Sequence, residues 1–180
     1  MRLILVRHPK PLVAPGLCYG STDLAVAPEE VARVLAELGR HLPPGLPLFS
    51  SPLRRCADLA ALLPCASRSV DPRLVEIDFG QWEMRHWDDI PRAEVDAWAA
   101  DVTAYRPGGG ESVLQMAARV AAFHDELLRQ PHAGAIVVCH AGTMRLLAAR
   151  HAGLSLEAMA RKAAGAPHQI GYGQCLVLES

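Results

Sequence analysis

The sequence predicts a three-layer α/β/α sandwich, with helices on both faces of a mostly parallel sheet. Two patterns carry that expectation. Short, continuously apolar runs read as buried strands, and they alternate with segments whose apolar residues recur at helical spacing. Size is the third observation: 180 residues that are 51% hydrophobic suffice for one core in one domain spanning 1–180.

Leu3–Val6 is an apolar run ending in charge and reads as a buried strand. A loop rich in Pro and Gly follows, from Pro9 to about Ala27, and Pro28 then opens a helix at its first position. Val31, Val34, Leu35, Leu38 and Leu42 repeat at helical spacing and predict one buried face. Leu46–Ser50 reads as a second strand, Leu53–Leu63 as a helix stopped by Pro64, and the neighbourhood of Arg68–Val70 as a third strand. Residues 84–109 are the least regular stretch and are closed by three glycines, Gly108–Gly110. Ser112 and Gln115 have capping-box spacing, ahead of a helix whose Val113, Met116, Ala117, Val120 and Leu127 share a face. Ala135–Cys139 is the clearest buried strand, with a helix over Gly142–Ala152 behind it and a last strand over Gln174–Leu178.

Composition excludes several classes. Lys and Arg number 18 against 19 Asp and Glu, and a net charge of −1 leaves no global excess to draw the protein onto nucleic acid or an acidic membrane. Charged residues at 21% and a mean hydropathy of +0.13 exclude a disordered chain. Five cysteines without a C-x-x-C pair predict free thiols and a cytoplasmic setting. No apolar run approaches the roughly 18–20 residues of a membrane span. His41, His86, His124, His132, His151 and His168 are scattered without metal-ligand spacing, and no phosphate-binding G-x-x-x-x-G-K-[ST] loop occurs. Neither a metal nor a cofactor is therefore expected.

In parallel sheets, ligands bind beyond the C-terminal strand ends. Arg7 and His8 follow the first strand, and His140 follows Ala135–Cys139. Each alone reads as an ordinary strand end; two histidines facing one crevice are harder to assign to chance. Ser51-Pro52-Leu53-Arg54-Arg55-Cys56 follows the second strand and directs one of its arginines to the same edge, unless both are simply exposed at a helix start. Glu76 lies among apolar neighbours in Leu74–Gly80, where it either faces outward or is desolvated.

In order, LILVRH, SPLRRC, LVEIDFGQWE, GGGES and VVCHAG resemble the histidine phosphatase (phosphoglycerate mutase-like) superfamily, from Leu3 to about Arg145. The chain length and GLCYGSTD at Gly16–Asp23 are most similar to its α-ribazole phosphatase branch, which belongs to cobalamin biosynthesis. The resemblance implies a phosphoglycerate mutase-like fold and metal-independent hydrolysis of a phosphomonoester through a phosphohistidine. His8 would be the nucleophile. Arg7, Arg55 and His140 would surround the transferring phosphoryl oxygens, where positioning and electrostatics dominate catalysis. Glu76 would protonate the leaving alkoxide and then activate water, paired roles that call for a carboxyl able to hold and release a proton. Tyr19 and Gly20 match the loop that approaches the phosphate and would bind substrate. Gly20 also reads as a plain turn residue, and the capping box already accounts for Ser112 of the GES motif.

Four positions depart from the family pattern: Pro9 and Met84 where Gly is usual, Ala14 where many members carry Asn, and Leu59 in place of a common Thr. The insertion at 84–109 is the expected specificity cap. Phe79, Trp82, Trp87, Trp98 and Tyr105 lie in or beside it, either packing the cap or stacking on a flat substrate ring, with Arg85, Arg92 and Arg106 nearby. The expected partner is a small phosphorylated metabolite, with α-ribazole 5′-phosphate the leading substrate. The alternatives are a phosphohistidine-protein phosphatase, a phosphoglycerate mutase and a phospho-ligand binding module without turnover.

Overall fold

The structure, a computed structural model, describes residues 1–39, 41–43 and 45–179. In chain order the elements are β1 (Arg2–Arg7), α1 (Pro28–Leu38), β2 (Pro47–Ser50), α2 (Arg54–Leu62), β3 (Ser67–Val70), α3 (Arg92–Ala100), α4 (Val113–Leu128), β4 (Gly134–Cys139), α5 (Ala141–His151), α6 (Leu156–Ala164) and β5 (Cys175–Leu178). Short 3-10 turns at Pro72–Leu74, Gly80–Trp82, Trp87–Asp89 and Pro107–Gly109 shape the connections.

The sheet runs β3-β2-β4-β1-β5; only β5 is antiparallel, paired with β1. Side chains alternate between its faces because a strand repeats every two residues. Ile4, Val6, Leu48, Ile136 and Val138 pack with Val31, Val34, Leu38, Leu59 and Leu63 under α1 and α2. Leu3, Leu5, Ala135 and Val137 pack on the other face with Met116, Val120, Phe123, Met144 and Met159 from α4, α5 and α6. Side chains as fully buried as Leu3 and Leu5 each contribute about 1.5–3 kcal/mol.

The predicted three layers and the parallel sheet are present. Helix α1 ends four residues before Leu42, yet Leu42 still joins the same cluster from the following turn. The irregular stretch holds one α-helix, α3, which has no fully buried residue and packs Val95 and Trp98 only partly buried against the Trp82 cluster. Helix α6 went unpredicted although its signals are local: Ser155 accepts a hydrogen bond from the N–H of Ala158, and Met159 and Ala160 are buried. The capping box at Ser112 and Gln115 is formed in full.

Strand β4 lies between β1 and β2, so the three C-terminal ends that carry polar residues are neighbours. Arg7 pairs in register with Cys139, the N–H of His8 donates to the Cys139 carbonyl, and the N–H of Ser51 donates to that of Val138. This register sets His8, His140 and the start of α2 side by side.

Candidate active site

His8 is 3% exposed. Its Nδ1 lies 2.7 Å from the carbonyl oxygen of Pro9, which can only accept, so Nδ1 carries the proton and Nε2 keeps its lone pair. Burial, then the charge of Arg55, pushes its pKa down to about 3 against the raising effect of the Pro9 bond, with Arg7 lowering it further. Arg7 donates from one terminal nitrogen to the carbonyl of Ile170 and lies 4.0 Å over the Tyr172 ring. Its Nε is buried and has no hydrogen-bond partner among the described residues. Such a group costs free energy until an acceptor reaches it.

Of the two arginines opening α2, Arg54 is exposed near Asp58, whereas Arg55 is 1% exposed and turns inward. Arg55 donates to the carbonyls of Gly20 and Thr22 and, through Nε, to His140 Nδ1 at 3.2 Å. Because a guanidinium only donates, His140 Nδ1 is the acceptor, and Nε2–H then donates to Ser51 Oγ at 2.9 Å. Burial and the nearby His8 and arginines hold His140 well below the ordinary imidazole range. Its ring is fully buried behind that of His8, with centroids 5.0 Å apart. His140 thus meets the site through Arg55 and does not line the cleft in front of it.

Glu76 sits on an irregular segment, tied down by the buried Leu74. Its Oε2 accepts from the N–H of Gly142 at 2.9 Å, in the first turn of α5, where a helix terminus favours negative charge. A Cβ at position 142 would overlap the carboxylate, so glycine there is what lets the acid approach. Tyr19 lines the cleft, its hydroxyl 2.9 Å from that of Tyr172. Gly20 lies behind the wall: Glu83 takes its N–H, Arg55 its carbonyl, and a Cβ would overlap the Ile77 carbonyl.

Two residues the sequence reading missed complete the arrangement. Tyr172 stacks on Arg7 and lies 5.6 Å from the His8 ring; it stands alone in a Gly-flanked loop with no periodic signal. Glu83 accepts from the N–H groups of Gly20, Ser21, Thr22 and Phe79, and from the Thr22 hydroxyl. Burial raises the pKa of Glu83, but the Thr22 hydroxyl and these amides outweigh it and hold the carboxyl below its usual range. The same loop offers its carbonyls to Arg55, so Glu83 fixes that guanidinium from behind.

The cleft in front of these groups measures about 910 Å³. Its polar end is Arg7, His8, Tyr19, Arg55, Glu76 and Tyr172. Of the five aromatics, Trp82 is fully buried with Cys18 and Ile90 and has Tyr105 against it. Phe79 and Trp98 pack on the same cluster and also line the cleft, as does Trp87. Arg85, Arg92 and Arg106 are held outside by the Asp89 carbonyl, by Asp96, and by the carbonyls of Gly109 and Gly110. Arg145 and His168 face the cleft instead.

The departures from the family pattern have local consequences. Leu59 is core and Ala14 is exposed, while the position-9 carbonyl that fixes the His8 tautomer is a main-chain group that Pro and Gly share. Met84 has φ 62°, the one non-glycine with positive φ among the described residues. Among these residues no group of three or more His, Cys, Asp or Glu side chains could hold a metal ion, and no helix is long and apolar enough to cross a membrane. A neutral, lone-pair-bearing imidazole beside two guanidiniums, with a carboxyl lining the same cleft, can accept a phosphoryl group on nitrogen.

Comparison with protein families matches residues 3–170 to the histidine phosphatase superfamily (branch 1). The chain is 33% identical over 169 residues to adenosylcobalamin/alpha-ribazole phosphatase of Escherichia coli strain K12, covering 88% of this chain and 83% of that one. Among solved structures it is similar to the alpha-ribazole phosphatase from Shigella flexneri (TM-score 0.80, 27% identity, 99% of this chain and 90% of that one). It is also similar to a mycobacterial glucosyl-3-phosphoglycerate phosphatase (TM-score 0.75, 26% identity, 98% and 88%).

Proposed function

Because the chain belongs to the histidine phosphatase superfamily and is a phosphomonoesterase, we propose that it hydrolyses a phosphomonoester whose alcohol carries a flat, apolar ring, with α-ribazole 5′-phosphate the best candidate. One observation carries this reading: a buried, neutral His8 with Nε2 unprotonated lies beside Arg7 and Arg55, at the polar end of a cleft whose largely apolar remainder includes Phe79, Trp87 and Trp98.

In the first step His8 Nε2 attacks phosphorus, the N–P bond forms, and the ester P–O bond breaks. The Glu76 carboxyl gives its proton to the departing alkoxide. Arg7 and Arg55 hold the equatorial oxygens as charge spreads over them, and the unpartnered Nε of Arg7 gains an acceptor. His140 keeps the Arg55 fork in place. In the second step water attacks phosphorus, the N–P bond breaks, and the Glu76 carboxylate takes the water proton. The sum is ester plus water to alcohol plus inorganic phosphate. The aromatic wall and the similarity to alpha-ribazole phosphatases support the ring-bearing substrate.

The test is a set of substrates assayed in the presence of chelator: α-ribazole 5′-phosphate, a sugar phosphate, phosphoglycerate and phosphohistidine protein. α-Ribazole 5′-phosphate is expected to have the highest kcat/KM, and His8→Ala to lose roughly 10⁴-fold or more, as removal of a covalent nucleophile does. Trp87→Ala is expected to raise KM for the ring-bearing ester roughly three- to tenfold while leaving the sugar phosphate alone. Unchanged turnover in His8→Ala would overturn the mechanism; a flat profile, or activity confined to phosphohistidine protein, would overturn the substrate.

A further inference from the structure

Glu76 is carried by chain with no regular secondary structure, yet proton transfer to a leaving oxygen needs the carboxyl fixed to within a fraction of an ångström. The backbone of that segment is gripped from α4. Arg119 donates to the carbonyls of Arg73 at 2.8 Å, Val75 at 2.6 Å and Glu76 itself at 3.3 Å. Its other edge is locked by a two-point pair with Glu111, 2.7 Å at each contact. Glu111 in turn donates its own N–H to the Asp78 carbonyl, so the pair closes a ring around the stretch 73–78. From α5, the buried Thr143 hydroxyl reaches the carbonyls of Leu74 and Val75.

We infer that the Arg119–Glu111 pair is a positioning device for Glu76: it touches neither substrate nor the reacting atoms, and it sets the reach of the carboxyl to the leaving oxygen. This rests on the reading of Glu76 as proton donor. A guanidinium is required, because a single ammonium cannot span three carbonyls and both carboxylate oxygens. The device accounts for Glu111 of the GGGES motif, which the capping role of Ser112 leaves unexplained.

The consequence is a dependence on leaving group. 4-Nitrophenolate departs without a proton, whereas the alkoxide of benzyl phosphate must be protonated as the P–O bond breaks. Because kcat/KM covers only steps up to phosphorylation of His8, the ratio of its values for the two esters isolates proton donation. Arg119→Ala is expected to lower kcat/KM for benzyl phosphate at least about tenfold more than for 4-nitrophenyl phosphate, since general acid catalysis supplies about 10²–10⁴. Glu111→Gln and Arg119→Lys, which retain bulk and fold more readily, are expected to shift the ratio in the same direction. Equal losses on both esters across the three variants, or no loss, would overturn the inference. Glu76→Ala is the control. If it too loses both esters equally, the reading of Glu76 has failed; if it loses benzyl phosphate selectively while the Arg119 and Glu111 variants do not, the positioning role alone has failed.

Discussion

At His8 a buried site beside two cations produces the lone pair that an attack needs. Burial and Arg55 hold the imidazole neutral, and the Pro9 carbonyl selects which nitrogen holds the single proton. Folding therefore takes His8 from its ordinary 6.5 in the unfolded chain down to about 3. Between those values the unfolded state binds more protons, so stability rises with pH through this window and is lost as pH falls from about 6.5 towards 3. His140 shifts in the same direction. Urea unfolding midpoints in phosphate-free buffer should show this fall, and His8→Gln should flatten it. An unchanged slope in that variant would mean that His8 is not held neutral. Position 8 was legible because it ends an apolar strand; what holds its ring neutral was not, because that is burial by the folded core and the charge of Arg55, 47 positions along the chain.

At the scale of elements, the strands at the centre of the sheet were the most legible. β1 and β4 announce themselves because each is apolar through most of its length and covered on both faces. α3 buries nothing fully and turns its one apolar face, Val95, Trp98 and Ala99, to the cleft, whereas β3 is exposed along its whole length and is still legible near Arg68–Val70. The turn at Gly80–Trp82 illustrates a cost left in the sequence. Its chain exits through Met84 in the left-handed region, where a glycine ordinarily ends a helical turn without steric penalty. The Met84 side chain is 42% exposed, so little packing offsets the strain. Met84→Gly is expected to stabilise the fold by about 1 kcal/mol, read as a raised denaturation midpoint. A lowered midpoint would show that the side chain contributes more than its backbone costs.

For the molecule as a whole, charge is balanced in sum and separated in space. A net charge of −1 coexists with a cleft into which Arg7, Arg55 and Arg145 project against the single carboxylate of Glu76. Such a local field steers a phosphate dianion even though the protein as a whole does not attract it. Raising salt from about 0.01 to about 1 M contracts the screening length from about 30 to about 3 Å, and kcat/KM for a phosphomonoester is expected to fall at least about threefold. Invariance across that range would remove long-range attraction from the account.

The layers and the strand ends that hold Arg7, His8 and His140 are legible in the sequence, because periodicity and polarity are local properties. Motif order adds Arg55 and Glu76 as candidates. Folding is what shows that Arg54 turns away, that His140 lies behind His8 hydrogen-bonded to Arg55, that Tyr172 covers Arg7 and that Glu83 holds the Gly20–Thr22 loop. Which aromatics reach the cleft is legible only there too. Each of these depends on which segments meet after the chain has crossed the sheet, and hydrogen-bond partners far apart in sequence leave no period to read.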